Sequence, residues 1–170
     1  MQVFLQESEG FREKDPKQRK KDLEHIFAWS YTWGLGAALE DKSKEFFDTT
    51  VRDVFKAVQF PNSGSVFDYW YDIRRDQKQF KHWDIKVEPF VYSKESSFFE
   101  LMVPTSDTYK HRYCLEKLLT IEKSVFFTGD TGVGKSLVIQ NTFDILKEDS
   151  NRPLQPININ FSAQTDSKRV

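Results

Sequence analysis

The chain has 170 residues, enough for one domain or two small pieces with a sizeable core, and a formal charge of −1 with 30% charged residues. It therefore carries no net field of the kind that draws nucleic acid or an anionic membrane surface. Cys114 is its one cysteine, which excludes an internal disulfide framework and fits a reducing compartment. No run approaches the roughly twenty apolar residues of a membrane span, and Met1-Gln2-Val3-Phe4-Leu5 followed by Gln6 and Glu7 lacks the basic-then-apolar order of a signal peptide. An intracellular protein is expected, and 16 Phe with 15% aromatic residues call for a packed one.

Residues 1–22 read as a polar lead-in, in which Lys17, Arg19, Lys20 and Lys21 are interleaved with Glu13, Asp15 and Asp22. The acids cancel the local field, so a nucleic-acid patch is not expected. From Leu23, the spacing of Ile26, Phe27, Ser30, Tyr31, Gly34, Leu35 and Ala38 predicts a helix with a broad buried face. Gly34 and Gly36 are costly there and imply close packing or a kink. Asp41 is placed to cap a second helix whose apolar face is Phe46, Phe47, Val51, Val54, Phe55 and Val58, stopped by Pro61-Asn62-Ser63-Gly64.

The period then changes. Phe67, Tyr69, Tyr71 and Ile73 alternate with Asp68, Trp70 and Asp72, and a return strand through Phe80, Trp83, Ile85 and Val87 completes a hairpin. Its aromatic and basic mixture reads as packing against the helices rather than as a base-stacking platform, because a lone hairpin needs a surface to cover. His25, His82 and His111 lack paired ligand spacing and Cys114 has no C-x-x-C partner, so no metal site of that kind is expected. Thr105, Ser106 or Asp107 can cap a helix running to about Thr120. Ser124-Val125-Phe126-Phe127-Thr128 has the make-up of a buried parallel strand, and Ile157-Asn158-Ile159-Asn160-Phe161 of a second strand of the same sheet.

Between these two runs lies Gly129-Asp130-Thr131-Gly132-Val133-Gly134-Lys135-Ser136, which has the spacing G-x-x-x-x-G-K-[ST] of a P-loop. Glycines let the backbone N–H groups converge on phosphate oxygens. Lys135 is suited to the β- and γ-phosphates, Ser136 can place its hydroxyl on Mg²⁺, and the following helix, expected to about Lys147, turns its positive end to the anion. ATP or ADP with Mg²⁺ is the expected ligand. Hydrolysis needs more: an acid at the end of a later apolar strand, which this sequence does not contain after Ser136. The expected fold is α/β, an incomplete P-loop NTPase parallel sheet preceded by a mainly helical subdomain with a β-hairpin. No catalytic residue is assigned, and the chain alone should not turn over ATP.

Four stretches follow one another as in axonemal dynein heavy chains: 26–36, 101–108, 126–136 and 159–165. The chain resembles the segment that closes the second AAA+ module of that family with its lid-type subdomain (23–93) and opens the third P-loop module (94–170). The resemblance implies part of an ATP-driven motor of cilia or flagella, whose third module binds nucleotide and regulates. It implies as partners the rest of the heavy-chain ring, the dynein complex and, indirectly, microtubules, with no nucleic acid and no membrane. It also implies that Val103, Pro104 and Thr105 line the adenine side. The family usually carries an aliphatic residue at position 106 and an arginine at 110, where this chain has Ser106 and Lys110, and Asp130 is an unusual acid at the mouth of an anion site. Its like charge should weaken phosphate binding unless the side chain turns to solvent. Beginning with Met1 inside the second module, the chain is expected to be an incomplete gene product. An interaction protein built on the helical half, or a small stand-alone kinase or ATPase, are the competing readings.

Overall fold

The computed structural model describes residues 1, 2, 4, 15–73, 79–90, 103–148, 155–162 and 165–166. They fall into two compact units, Met1–Val125 and Phe126–Val170.

In the first unit, helix α1 spans Pro16–Gly36 and starts earlier than the apolar spacing predicts. The reason is local: Asp15 accepts from the N–H groups of Lys17 (3.0 Å) and Gln18 (3.4 Å), and Pro16 occupies the first helical position. The buried stripe is also rotated from the expected one. It runs through Asp22, His25, Ile26, Trp29, Thr32 and Gly36, whereas Phe27 and Leu35 are exposed. Helix α2, Asp41–Val54, buries Val51 and packs Phe47 and Phe55 inward, leaving Phe46 and Val54 in solvent. Glu40, not Asp41, holds the N-cap position; Asp41 lies in the first turn and accepts from Lys44.

The turn after α2 is pinned by charge. Arg52 donates to Asp48 (2.9 Å) and to the carbonyls of Pro61 (2.8 Å) and Gly64 (3.1 Å), while Asp48 accepts from the Val66 N–H at 2.6 Å. A short 3-10 turn, Val66–Asp68, carries a capping box from Ser65 to Asp68 and leads into the hairpin. Strand β1 (Tyr69–Asp72) pairs antiparallel with β2 (Gln79–His82), with Tyr69 opposite His82 and Tyr71 opposite Phe80. The apolar side of the expected alternation holds, since Phe67, Tyr69, Tyr71 and Ile73 are all buried, but on the opposite side Trp70 is half-buried and Asp72 is buried as well. The return strand is shorter than expected. It ends at His82, and Trp83–Lys86 turns as 3-10 helix, which buries the Trp83 indole and aims its N–H at the Phe67 carbonyl (3.1 Å), while Ile85 points to solvent.

Helix α3, Ser106–Thr120, is capped by Thr105 as expected. It packs into the first unit: Tyr113 meets Trp29, Trp70 and Trp83, and Leu115 is buried. Lys86 sits 4.1 Å from the Trp70 ring centre, closing that aromatic cluster.

In the second unit, helix α4 spans Lys135–Glu148, close to the expected extent. The two strands expected on either side of the loop are not formed among the described residues. Among the described residues the one sheet is β1–β2, and 124–128 and 157–161 run without ladder partners. A parallel strand exists only when hydrogen-bonded to a neighbour and covered on both faces. Here Phe126 is 88% exposed, Ile157 87% and Phe161 71%, so neither condition is met.

Candidate functional site

The residues singled out by motif form a loop followed at once by a helix. Gly129, Gly132 and Gly134 have φ of +148°, +85° and +82°, values at which a side chain is strained. That is the physical need behind the three glycines. A Cβ at Gly132 or Gly134 would meet nothing within 4 Å, so what is restricted is backbone conformation and not space. Lys135 closes the loop: its Nζ donates to the carbonyl of Gly129 at 3.0 Å and to that of Asp130. The ladder of α4 opens with the Val138 N–H donating to the Gly134 carbonyl at 3.0 Å. The N–H groups of the first turn, those of Lys135, Ser136 and Leu137, precede that ladder and lie at the positive end of the helix.

Thr131, Val133 and Ser136 are exposed, as is Asp130, whose carboxylate is therefore screened by water. This donor set fits a polyphosphate: the backbone N–H groups of the first turn of α4, one ammonium and a short hydroxyl, on a loop whose left-handed positions suit glycine. Ser136 is the residue that would hold Mg²⁺.

Val103, Pro104 and Thr105 lie in the first unit and are described by themselves. Val103 is 56% exposed and Pro104 half-buried. Every polar group of Thr105 is committed to the start of α3. Its N–H donates to Thr108 Oγ1 (2.9 Å), its Oγ1 accepts from the Thr108 N–H (3.2 Å), and its carbonyl accepts from the Tyr109 N–H (3.0 Å). What Thr105 can offer a base is contact, not a hydrogen bond.

Sequence reasoning missed a second polar assembly. Lys110 on α3 reaches Asp68 Oδ1 (3.1 Å) and Asp107 Oδ1 (3.2 Å). Burial pushes the Asp68 pKa up, but the Ser65 N–H and the Lys110 ammonium outweigh it and hold the carboxyl below its ordinary value. Burial likewise pushes the Cys114 thiol up to about 12. Tyr71 is raised further by burial and by the nearby Asp22 charge. Among the described residues no three His, Cys, Asp or Glu side chains converge as metal ligands, and no helix is long and apolar enough to cross a membrane.

Two family models match the chain: the dynein heavy chain AAA lid domain over residues 1–85, and the P-loop containing dynein motor region over residues 90–170. The chain belongs to the dynein heavy chains. It is 38% identical over 147 residues to human dynein axonemal heavy chain 6, which covers 85% of this chain and 3% of that protein. The dynein-1-beta heavy chain of the flagellar inner arm I1 complex of Chlamydomonas reinhardtii is 29% identical over 149 residues, 87% of this chain and 3% of its own length. A ciliary dynein beta chain of Heliocidaris crassispina is 31% identical over 164 residues, 93% of this chain and 4% of its own. The chain thus spans about 3% of the length of the first of these relatives.

For this dynein heavy chain segment, the P-loop match fits an incomplete AAA+ fold. The two matches meet between residues 85 and 90, whereas the first compact unit runs on to Val125. Packing explains the difference: α3 lies within the P-loop match, yet its Tyr113 is inserted among tryptophans from the lid match.

Proposed function

We propose that this dynein heavy chain segment binds ATP or ADP with Mg²⁺ through Gly129, Asp130, Thr131, Gly132, Val133, Gly134, Lys135 and Ser136, and that by itself it holds nucleotide without hydrolysing it. The observation that carries this reading is the closed loop, in which Lys135 lies within hydrogen-bonding distance of the Gly129 and Asp130 carbonyls at the start of a 14-residue helix. The backbone N–H groups of the loop and first turn orient the phosphates, and Lys135 offsets their charge. Mg²⁺ held by Ser136 would supply further charge neutralisation. No residue of this sequence is assigned to activate water.

On this reading Val103, Pro104 and Thr105 supply the adenine side, the partners are the remainder of the heavy-chain ring and its dynein complex, and microtubules are engaged only through them. The setting is the axoneme of a cilium or flagellum. The names of the relatives, axonemal, flagellar and ciliary, support it.

Thermal melts of the full chain with and without Mg·ATP test the site. Ligand at a hundred times its dissociation constant adds roughly 2.7 kcal/mol, and Lys135→Ala should abolish the shift. No shift under saturating Mg·ATP would sink the site, and turnover that Lys135→Ala removes would refute the non-hydrolysing reading.

A further inference from the structure

Across 126–136 the charged side chains are Asp130 and Lys135, one of each sign, so the side chains of the loop offer a polyanion no net positive charge. The two are held close by the backbone. Lys135 Nζ donates to the carbonyl of Asp130 itself, and to that of Gly129 at 3.0 Å. A carboxylate group lies at most about 5 Å from the carbonyl oxygen of its own residue, which keeps that of Asp130 within about 8 Å of the ammonium whichever rotamer it adopts. This separation does not exceed the screening length of about 8 Å at physiological ionic strength. Water around the exposed carboxylate therefore weakens its field at Lys135 without removing it, and a phosphate oxygen taken by Lys135 comes under the same field.

The loop itself does not call for an acid at this position. Asp130 is not at a left-handed φ, and among the described residues its carboxylate has no hydrogen-bond or ion-pair partner. What it contributes is charge. Its repulsion scales with the charge of the ligand, and Mg²⁺ cancels much of the charge of a polyphosphate. The free polyanion meets Asp130 at full charge, the Mg²⁺ complex largely neutralised. We propose that Asp130 is a specificity-determining residue of the loop: by offsetting Lys135 it makes the loop select polyphosphate already complexed with Mg²⁺ over the free polyanion. This selectivity rests on the reading of 129–136 as the phosphate site. It is distinct from a general loss of affinity, because the penalty falls unequally on the two forms of the ligand, and every residue it uses belongs to the second unit.

Isothermal titration of the full chain with tripolyphosphate, once in excess Mg²⁺ and once with EDTA, measures the two forms without involving a base. At an ionic strength of about 10 mM, where the screening length is about 30 Å, Asp130→Asn should raise affinity for the free form about fivefold and for the Mg²⁺ complex less than about twofold. Asp130→Glu, which keeps the charge, should behave as the wild type. The gain from Asp130→Asn should vanish near about 1 M salt, where the screening length falls to about 3 Å; a change in loop shape would move both forms alike and persist in salt. Should Asp130→Asn fail to fold, Asp130→Ser carries the same expectation. Equal shifts for both forms, no shift for either, or weaker binding of the Mg²⁺ complex overturns the proposal while the glycine-loop site stands. If neither form binds to the wild type or to Asp130→Asn, the glycine-loop site itself is overturned, and the role of Asp130 with it.

Discussion

Gly34 and Gly36 stand two residues apart near the end of α1, and the structure assigns them opposite responses to the same substitution. A Cβ built on Gly36 would lie 2.5 Å from Phe67 Cζ, 2.7 Å from Phe47 Cε1 and 2.9 Å from Phe67 Cε1, whereas one on Gly34 meets nothing within 4 Å. The rings cannot simply withdraw. Phe47 and Phe67 stack on each other with centroids 5.9 Å apart, Phe67 is edge-on to Trp33, and the Phe67 carbonyl accepts the Trp83 indole N–H. Forcing a methyl group into such a contact costs about 1–3 kcal/mol. The gain in helix propensity, at most about 1 kcal/mol and less at a helix end, does not cancel it. Gly36→Ala should therefore lose about 1–2 kcal/mol, and Gly34→Ala should gain up to about 1 kcal/mol. Urea unfolding followed by tryptophan fluorescence reports both, since Trp29, Trp33, Trp70 and Trp83 all belong to the first unit. If the two variants move in the same direction, or if Gly36→Ala is as stable as the wild type, the close approach of helix and rings described above is wrong.

The end of α3 makes a second prediction. Glu122 has φ +57°, and the bonds Glu122 N–H to Leu119 carbonyl (3.0 Å) and Lys123 N–H to Leu118 carbonyl (3.0 Å) form a Schellman motif around it. Glu122→Gly should be about 1 kcal/mol more stable than Glu122→Ala in the same urea assay, and equality would show that the left-handed residue is not in place. The Asp68 carboxyl, held below its ordinary value, adds stability that is present above the ordinary pKa of 3.8 and is lost as pH falls through the lower folded value. The stability gap between wild type and Asp68→Asn should thus close as pH falls below 3.8; a gap that persists undiminished well below 3.8 would contradict the assignment. Cys114, with its thiol pushed up to about 12 by burial, should resist alkylation at pH 8 until urea opens the first unit, and rapid labelling of the native chain would contradict its packing.

What could be read in advance follows the range of the interactions. The glycine loop was legible because its constraint is local: the backbone needs left-handed φ at Gly132 and Gly134, and only glycine supplies it cheaply. The cap at Thr105 and the alternation of Tyr69, Tyr71 and Ile73 are equally local. The buried stripe of α1 was not legible, because apolar residues occupy several of its faces. Which face turns in is decided by Tyr69, whose carbonyl takes the Trp29 indole N–H at 3.1 Å, and by the rings closing over Gly36. The early end of β2 is set in the same way by Trp83 seeking the Phe67 carbonyl. Lys110 and Asp68, 42 residues apart, give no signal in any window. The strands expected at 124–128 and 157–161 failed for a related reason: β-branched and aromatic composition marks what can pair, but a ladder forms only with a neighbour.

The two units differ in what orders them. The first encloses Trp83, Tyr71, Ile26, Val51 and Val66, whereas the described residues of the second bury only Val138 and Thr142, and the Thr142 hydroxyl turns back to the Val138 carbonyl at 2.7 Å. Burying one valine contributes about 1.5–3 kcal/mol, against roughly 1–2 kcal/mol of backbone entropy for each residue ordered. A helix of 14 residues is marginal alone in water. The contacts described within the second unit therefore do not by themselves account for the order of α4, and a polyphosphate seated on the loop, at the positive end of that helix, would add to it. On the proposed reading, phosphate binding and the ordering of α4 then share one free energy. The apparent dissociation constant becomes the intrinsic one divided by the fraction of chains in which loop and helix are formed. Weak binding by this chain is for that reason compatible with a well-made cradle, and the informative quantity is how far affinity rises when the second unit is stabilised by other means.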